Sequence, residues 1–458
     1  MKLNNVGVLF VVTTALAGAS QAAVSTEEAK SLGGAILTEF GAERGASKDG
    51  VIPAYDPKPI KAPAGWDRQR QGYPDPWGEA PLFAITAQNA AQYADKLDGM
   101  IEVFKRYPNF RMDVYPTHRT AIYPKAVLEN TVKNAGGCKT TNDDLNLVGC
   151  YGGIPFPIPK SGRQEMWNHL LGYDAHAPTS RHLQTWVIPV AGSPVLQSTL
   201  DVATQNPFYD PAKMGNSMGL QDLYYKAHVD FNGPARQAGS KLLVTYSVDT
   251  LNYGSRVWQY IPGQRRVKLA PDLAYDTPSP TSGGSATMDD QKGFLGALDR
   301  FDFKLVGKKE KYIMYNNFKL TDPRVCADNK VVATKYFADP ACVRWELHRV
   351  WRVEATLKPG YRHIYAKRVF YWDEDTHTAG STENYDASGK LYRVLNMIAY
   401  PYYEGGTSAQ SAIGMDLQTG IWTLQGGMGT EGAAFFPDPN PQNATYFSPE
   451  ALAGTGVR

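Results

Sequence analysis

The sequence predicts an α+β protein: a large antiparallel β-sheet preceded by short helices and a proline-rich arm. Three observations carry this. From Trp345 to Leu357 the residues Trp345, Leu347, Trp351, Val353, Ala355 and Leu357 fall on alternate positions, the period of a strand with one buried face. Lys358-Pro359-Gly360 is a turn signal, and the aromatic and β-branched run from Arg362 to Trp372 returns beside the first strand before Asp386-Ala387-Ser388-Gly389 turns the chain again. The 43 Gly, 31 Pro and 27 Tyr point to sheet and loop and away from a helical bundle.

Taken in order, the chain opens with Lys2, an apolar run from Val6 to Ala17 and the small-x-small site Ser20-Gln21-Ala22. This is the grammar of a cleavable secretory signal over residues 1–22. No cysteine directly follows that run, so a lipid-anchored lipoprotein is not expected, and no later stretch approaches the roughly 18 apolar residues of a membrane span. An exported, soluble protein is expected. Ser25-Thr26-Glu27-Glu28 has capping-box spacing and predicts a short helix through Leu32. Residues 41–78, rich in Gly and Pro, cannot build a core and are expected to lie extended on the body, anchored by Trp66, Tyr73 and Trp77.

Thr86 is the expected cap of a helix with Ala90, Tyr93, Ala94, Leu97, Ile101 and Phe104 on one face, ended by Pro108. Residues 124–134, with Pro124 in the first turn and Gly136-Gly137 past the end, and residues 162–172 read as two more helices. Cys138 and Cys150 flank one short loop, and Cys326 and Cys342 another. An even count in an exported chain suggests two local disulfides, with the other two connectivities open; zinc would need C-x-x-C spacing or nearby histidines.

From about Thr185 the period changes to two. Strands are expected over 184–191, 195–204, 221–231, 241–249, 255–261, 265–270, 301–306, 310–315, the meander 345–372, 391–399 and 421–424, with Pro262-Gly263 as a tight turn. The chain thus divides into a signal peptide (1–22), a helical and Pro/Gly-rich region packed on the sheet (23–180) and the antiparallel sheet with a C-terminal tail (181–458).

The words PLFAITAQNAAQYADKL, RYPNFRMDVYPTHRTAIYP, GGIPFPIP and WNHLL, followed by VWQYIPGQRRVKLAP, DRFDFKLVGKKEKYIMYNN, RVWRVEATLKPGYRHIYAKRVFYWDED and YDASGKLYRV, span nearly the whole mature chain. In them it resembles a proteobacterial family of exported proteins of unknown function. The strand–turn–strand grammar of the later words is similar to the carriers that sort lipoproteins to the outer membrane (LolA/LolB-like). The resemblance implies a curved half-barrel around helices, with an apolar cavity that shelters a lipid or other apolar small molecule in the periplasm. It also implies an inner-membrane RND-type transporter and an outer-membrane protein as partners, and allows a peripheral seat at the outer membrane.

Composition excludes other classes. A net charge of +2 gives no bulk field for nucleic acid. No G-x-S-x-G, H-E-x-x-H, P-loop or dinucleotide fingerprint occurs. His169, His176 and His182 are close in sequence, but their spacing fits no helix face and no carboxylate cluster joins them, so ordinary loop residues are expected. His118, with Tyr115 and Arg119, is expected to hold a turn rather than act as an acid or base. Asp289, Asp290, Asp299 and Asp302 read as caps and turn formers before paired catalytic carboxylates. Arg265, Arg266, Lys268, Lys308, Lys309, Lys367 and Arg368 read as the solvated face of strands before a phosphate-binding stripe.

Amphipathic aromatics on a curved sheet can line a cavity and still find hydrogen-bond partners, although ordinary core is the competing reading. The expected lining is Trp258, Tyr260, Trp351, Val353, Tyr365, Phe370 and Trp372. The expected function is a non-enzymatic periplasmic carrier or adaptor, without cofactor or metal. The alternative is an interaction subunit of an envelope transport or surface-assembly complex with a solidly packed sheet. A hydrolase, the third reading, lacks a nucleophile and base.

Overall fold

The computed structural model describes residues 24–67, 72–427 and 435–454. The expected signal peptide lies outside the described residues. Helix α1 (Thr26–Lys30) carries the anticipated capping box, with Ser25 and Glu28 satisfying each other's backbone N–H. Among the described residues no helix or strand intervenes before β1 (Phe83–Thr86). Next come α2 (Ala94–Leu97), α3 (Met100–Arg106), β2 (Arg111–Val114), α4 (Lys125–Gly137), a small hairpin of β3 (Lys139–Thr141) and β4 (Asn146–Val148), and α5 (Gly162–Leu170).

Two meanders follow. The first is β5 (Pro178–Ile188), β6 (Val195–Gln205), β7 (Leu223–Gly233), β8 (Lys241–Ser247), β9 (Ser255–Ile261) and β10 (Arg266–Leu269). The second is β11 (Phe301–Met314), β12 (Trp345–Leu357), β13 (Lys367–Asp373), β14 (Gly380–Tyr385), β15 (Leu391–Pro401), β16 (Thr407–Asp416) and β17 (Trp422–Gly427). Strand β18 (Phe436–Pro437) pairs with the start of β5, and α6 (Pro449–Gly454) ends the described chain.

The fold is α+β, an open half-barrel. Sixteen strands make one sheet in which β11 to β17 continue into β5 to β10 through the pairing of β17 with β5. At that seam Trp422 lies opposite Ile188 and Thr423 opposite Val187, so the second meander docks onto the first strand of the first. The sheet does not close: among the described residues β10 pairs only with β9 and β11 only with β12.

One face of the sheet is wrapped around α5. Ser161 caps this helix by accepting from the Gln164 N–H, and all nine of its residues are buried. The His169 ring stacks on Trp372 at 3.6 Å, and the Asn168 side chain brackets the Phe156 N–H and C=O, pinning the Pro-rich GGIPFPIP segment. Register follows one ladder row along this inner face: Val353 opposite Phe370, Phe370 opposite Thr382, Thr382 opposite Leu395, Leu395 opposite Gly414, Gly414 opposite Thr423 and Thr423 opposite Val187.

The arm lies on the body as expected. Tyr73 is buried, with rings of Trp66, Tyr400, Tyr402 and Tyr403 within 5.7 Å of its own, while Trp77 stacks on His118. Both local disulfides are present, Cys138–Cys150 and Cys326–Cys342.

Four expectations are corrected. Thr86 ends β1 and caps no helix; the expected helix is split into a 3-10 turn, α2 and α3. The break has a tertiary cause, because Asp98 at φ 50° turns its carboxylate to Lys309 and Lys311 while the Gly99 N–H donates to Glu383. A Cβ on Gly99 would stand 2.6 Å from the Glu383 carboxyl carbon. The return run from Arg362 becomes strand only at Lys367. Residues 301–306 and 310–315 are one strand, β11, with an irregularity at Gly307. Strands β14 and β16, and the short β1 to β4, join those anticipated.

Candidate functional site

Past the region covered by α5, the inner face opens into a pocket of about 300 Å³. Its floor is the ladder row of Leu395, Gly414, Thr423 and Val187, flanked by Gln425 and Gln197. Residues 283–286 form one wall; Asp290, Tyr392, Arg393, Asp416, Thr419 and Ile421 form the remaining rim. Gly414 gives the floor its depth, since a Cβ there would stand 2.8 Å from the Thr423 hydroxyl and 3.1 Å from the Gln425 amide nitrogen.

The charged side of the pocket is braced from behind. Arg393 donates to Asp416 at 3.3 Å, to the Tyr365 hydroxyl at 3.2 Å and to the Tyr392 hydroxyl at 3.1 Å. Tyr365 in turn donates to Asp290 at 2.8 Å, and Arg368 reaches Asp290 at 2.8 Å and Asp289 at 3.0 Å. Arg368 is fully buried, within 5.2 Å of the rings of Phe294, Tyr365 and Phe370. Burial works against ionising Asp289, yet Arg368, His363 and Thr287 hold its carboxyl well below the usual carboxylate range. Asp289 and Asp290 also form the anticipated cap, through a capping box between Thr287 and Asp290.

A second polar centre is built on the turn that follows β13. The turn Asp373-Glu374-Asp375 is wholly buried, which demands cations. Arg119 meets Asp375 with Nε at 2.8 Å and Nη2 at 2.6 Å, Arg349 and Lys308 meet Glu374, and Arg344 joins Glu346 to Glu79. His348 places Nδ1 3.0 Å from Asp373 and Nε2 3.3 Å from Glu346. Burial opposes protonation of His348, but the two carboxylates raise its pKa to about 9. Burial alone would push the Asp373 carboxyl up; three donors from His348 and Thr376 aim at it, and the ionised pair is the state this geometry serves.

Among the described residues His348, Asp373 and Asp375 are the one group close enough to hold a metal. The donors do not fit one: both imidazole nitrogens face carboxylates as N–H donors, and Asp375 is clamped by Arg119. The centre is a charge-balanced fastener, and it also ties down the arm through Arg119 to the Glu43 carbonyl and Arg349 to the Gly45 carbonyl.

The structure separates the residues singled out from sequence. Trp351, Val353, Phe370 and Trp372 do share the inner face, but in its covered part: Val353, Phe370 and Trp372 are fully buried and Trp351 half-buried under Lys308. Tyr365 is off the strands and touches the pocket residues Asp290, Arg393 and Tyr392 from behind. Trp258 and Tyr260 face the other way, because Val257 takes the inner position of β9; they pack with Leu243, Phe447 and Leu452 under the C-terminal segment. None of the seven is in the pocket wall.

His169 is a core residue, His176 is half-buried and His182 is exposed. His118 holds its turn as anticipated, its Nε2 2.9 Å from Glu79 and its N–H on Glu346. The basic stripe dissolves: Arg368 is buried, Lys308 and Lys309 are ion-paired, and Arg265, Arg266 and Lys268 stay exposed. Apart from Asp290, singled out as a cap or turn former, the pocket residues and the buried acidic turn escaped sequence reasoning. The one signal was negative, a run of small and polar residues between two strongly patterned strands.

Among the described residues no helix is long and apolar enough to cross a membrane. Comparison with known proteins places these features in a family. A family model described as protein of unknown function (DUF1329) matches residues 84–453. An uncharacterized protein of Pseudomonas aeruginosa is 40% identical over 451 residues, covering 97% of this chain and 96% of its own. Two solved structures are similar: a DUF1329 family protein from Desulfovibrio piger (14% identity, TM-score 0.40, 61% of this chain and 92% of its own) and a LolA superfamily protein from Nitrosomonas europaea (11%, 0.32, 60% and 90%). With the family match running over most of its length, the chain belongs to the DUF1329 family of proteins of unknown function.

Proposed function

We propose that the protein is a non-enzymatic periplasmic carrier or adaptor that shelters an apolar or amphipathic small molecule on the open part of its inner sheet face. The observation that carries this reading is the pocket of about 300 Å³ where the inner face loses its cover. Val187, Leu395 and Ile421 offer apolar contact, and Gln197, Thr423, Gln425 and Arg393 offer a few fixed polar groups, the composition of a ligand site. Its size is roughly twice the 150 Å³ cavity that accommodates benzene. The sheltered part of the cargo is therefore a ring system or a short chain segment, held by removing apolar surface from water at about 25 cal/mol per Å².

Supporting the non-enzymatic side, the pocket wall contains no histidine, lysine or cysteine, and its carboxylates are occupied by arginines. Export follows from the signal expected at residues 1–22. Delivery would use an inner-membrane RND-type transporter and an outer-membrane protein, the partners the family resemblance implies. The solid packing around α5 favours the second reading, an interaction subunit without cargo, and the same experiment separates the two. Protein purified from the periplasm without denaturant is extracted and the extract identified by mass spectrometry. A stoichiometric amphipathic molecule is expected; a clean protein that takes up nothing on challenge would leave the interaction subunit.

A further inference from the structure

The loop that delivers Asp290 to the pocket wall also carries Lys292, which stands outside that wall, in left-handed backbone at φ 54°. That conformation is uncommon for a residue with a side chain and often marks a functional position. The lysine points inward, its Nζ 5.3 Å from the ring of Tyr225 on β7. The loop residues after it, Gly293 to Leu295, are buried, as are Tyr225 and Asp174.

Most other interior cations among the described residues have carboxylates, although Lys226, over the Phe447 ring, does not. Lys241, Lys309 and Lys311 are ion-paired, as are Arg119, Arg344, Arg349, Arg368 and Arg393. Lys292 makes no hydrogen bond or ion pair among the described residues. Asp174 is the carboxylate that acts on it, but from beyond ion-pair distance, and its two oxygens already accept from the Tyr402 hydroxyl at 2.7 Å and the Gln410 amide at 2.6 Å. The ammonium is not sealed in, either. Lys292 keeps part of its surface exposed, and its Nζ is absent from the enclosed polar atoms that lack a partner. Burial pushes its pKa down and Asp174 opposes this, as expected of a cation that lacks a bonded counter-charge.

An accessible, unpaired ammonium on the inner side of a sheltering sheet is a standing cost that an incoming anion would relieve. We propose that Lys292 is the seat for a carboxylate carried by the cargo, with the apolar part of the same molecule lying on the inner sheet face. The proposal rests on the carrier reading and narrows it from apolar molecules in general to amphipathic acids. Tyr225 is the aromatic floor beneath the ammonium, and the Tyr402–Asp174–Gln410 set holds the carboxylate among the described residues that acts on it.

Octanoate and 1-octanol, two probes of one chain length that differ in the anionic group, test it by calorimetric titration of the full-length mature protein. The wild type is expected to bind octanoate roughly tenfold tighter or more, the worth of one charge-assisted hydrogen bond. Lys292→Met is expected to bind the two alike while unfolding at the same or a higher temperature, because it removes an unpaired charge. Lys292→Arg is expected to keep the preference for octanoate. Equal binding of both probes by the wild type, or a preference that persists in Lys292→Met, overturns the lysine assignment and leaves the carrier reading standing. Binding of neither probe overturns both.

Discussion

The inner face of the sheet has two regions that share ladder rows and differ in what covers them. Over β12 and β13, Val353, Phe370 and Trp372 meet α5 and Phe294 and leave no space. Further along the same row, Leu395, Gly414, Thr423 and Val187 face the loop at residues 283–286 across a pocket. The aromatic-rich strands are the packed ones. A cavity forms where side chains shrink and the cover thins, because bulky rings fill whatever they face. Aromatic content thus marks the rigid back of this protein, and small residues mark its opening.

Several substitutions would break or sharpen that contrast. Trp372→Asp is expected to abolish folding, since it buries a lone charge against His169 and Met166 in place of the largest side chain on the covered part. Loss of the cooperative denaturant transition would show it; a folded Trp372→Asp would mean that the covered part holds space. Arg119→Met leaves Asp375 unpaired and frees the arm at Glu43, at an expected cost of about 3–5 kcal/mol in chemical unfolding.

The ion-paired His348 adds a pH signature. Its folded pKa of about 9 exceeds the unfolded value of about 6.5, so its contribution is complete below pH ~6.5 and is lost as pH climbs through about 9. Stability should fall by about 2–3 kcal/mol over that window, and His348→Gln should flatten the profile. On the open part, Gly414→Leu should cost about 1–2 kcal/mol, because its Cβ would press on the Thr423 hydroxyl 2.8 Å away while the rest of the side chain fills the pocket, and cargo uptake should drop by tenfold or more. A loss of stability as large as that of Arg119→Met would contradict an open pocket.

Much of the fold was legible in the sequence, and the pocket was not, for one physical reason. Strands β12 and β9 announce themselves because one face is packed with large apolar residues, which writes a period of two. Strand β16, TSAQSAIGMD, carries small and polar residues where the pocket lies, and β14, GSTENY, carries them over a packed stretch; the missing large apolar residues erase the period in both. In β16 the same gap hid the strand and the site. Alternation in β9 was read correctly as strand but assigned to the wrong face, since Val257 and Trp258 are both apolar and only the C-terminal segment packing on Trp258 and Tyr260 decides which is inner. The acidic turn Asp373-Glu374-Asp375 looks like a solvated loop in sequence; its partner Arg119 lies more than 250 residues away. Local pattern cannot reveal a counter-charge so remote. Where the signal was local, as in the capping box of α1 and the two disulfide loops, sequence and structure agree.

The central claim is that cargo occupies the open part of the inner face and not the covered part. Photo-crosslinking with a diazirine-bearing medium-chain fatty acid, followed by peptide mapping, tests it most directly. Labels are expected on peptides of β15, β16, β17 and β5, around Leu395, Thr423 and Val187, and are expected to disappear in Gly414→Leu. Labels concentrated on β12 and β13, around Val353, Phe370 and Trp372, would contradict it.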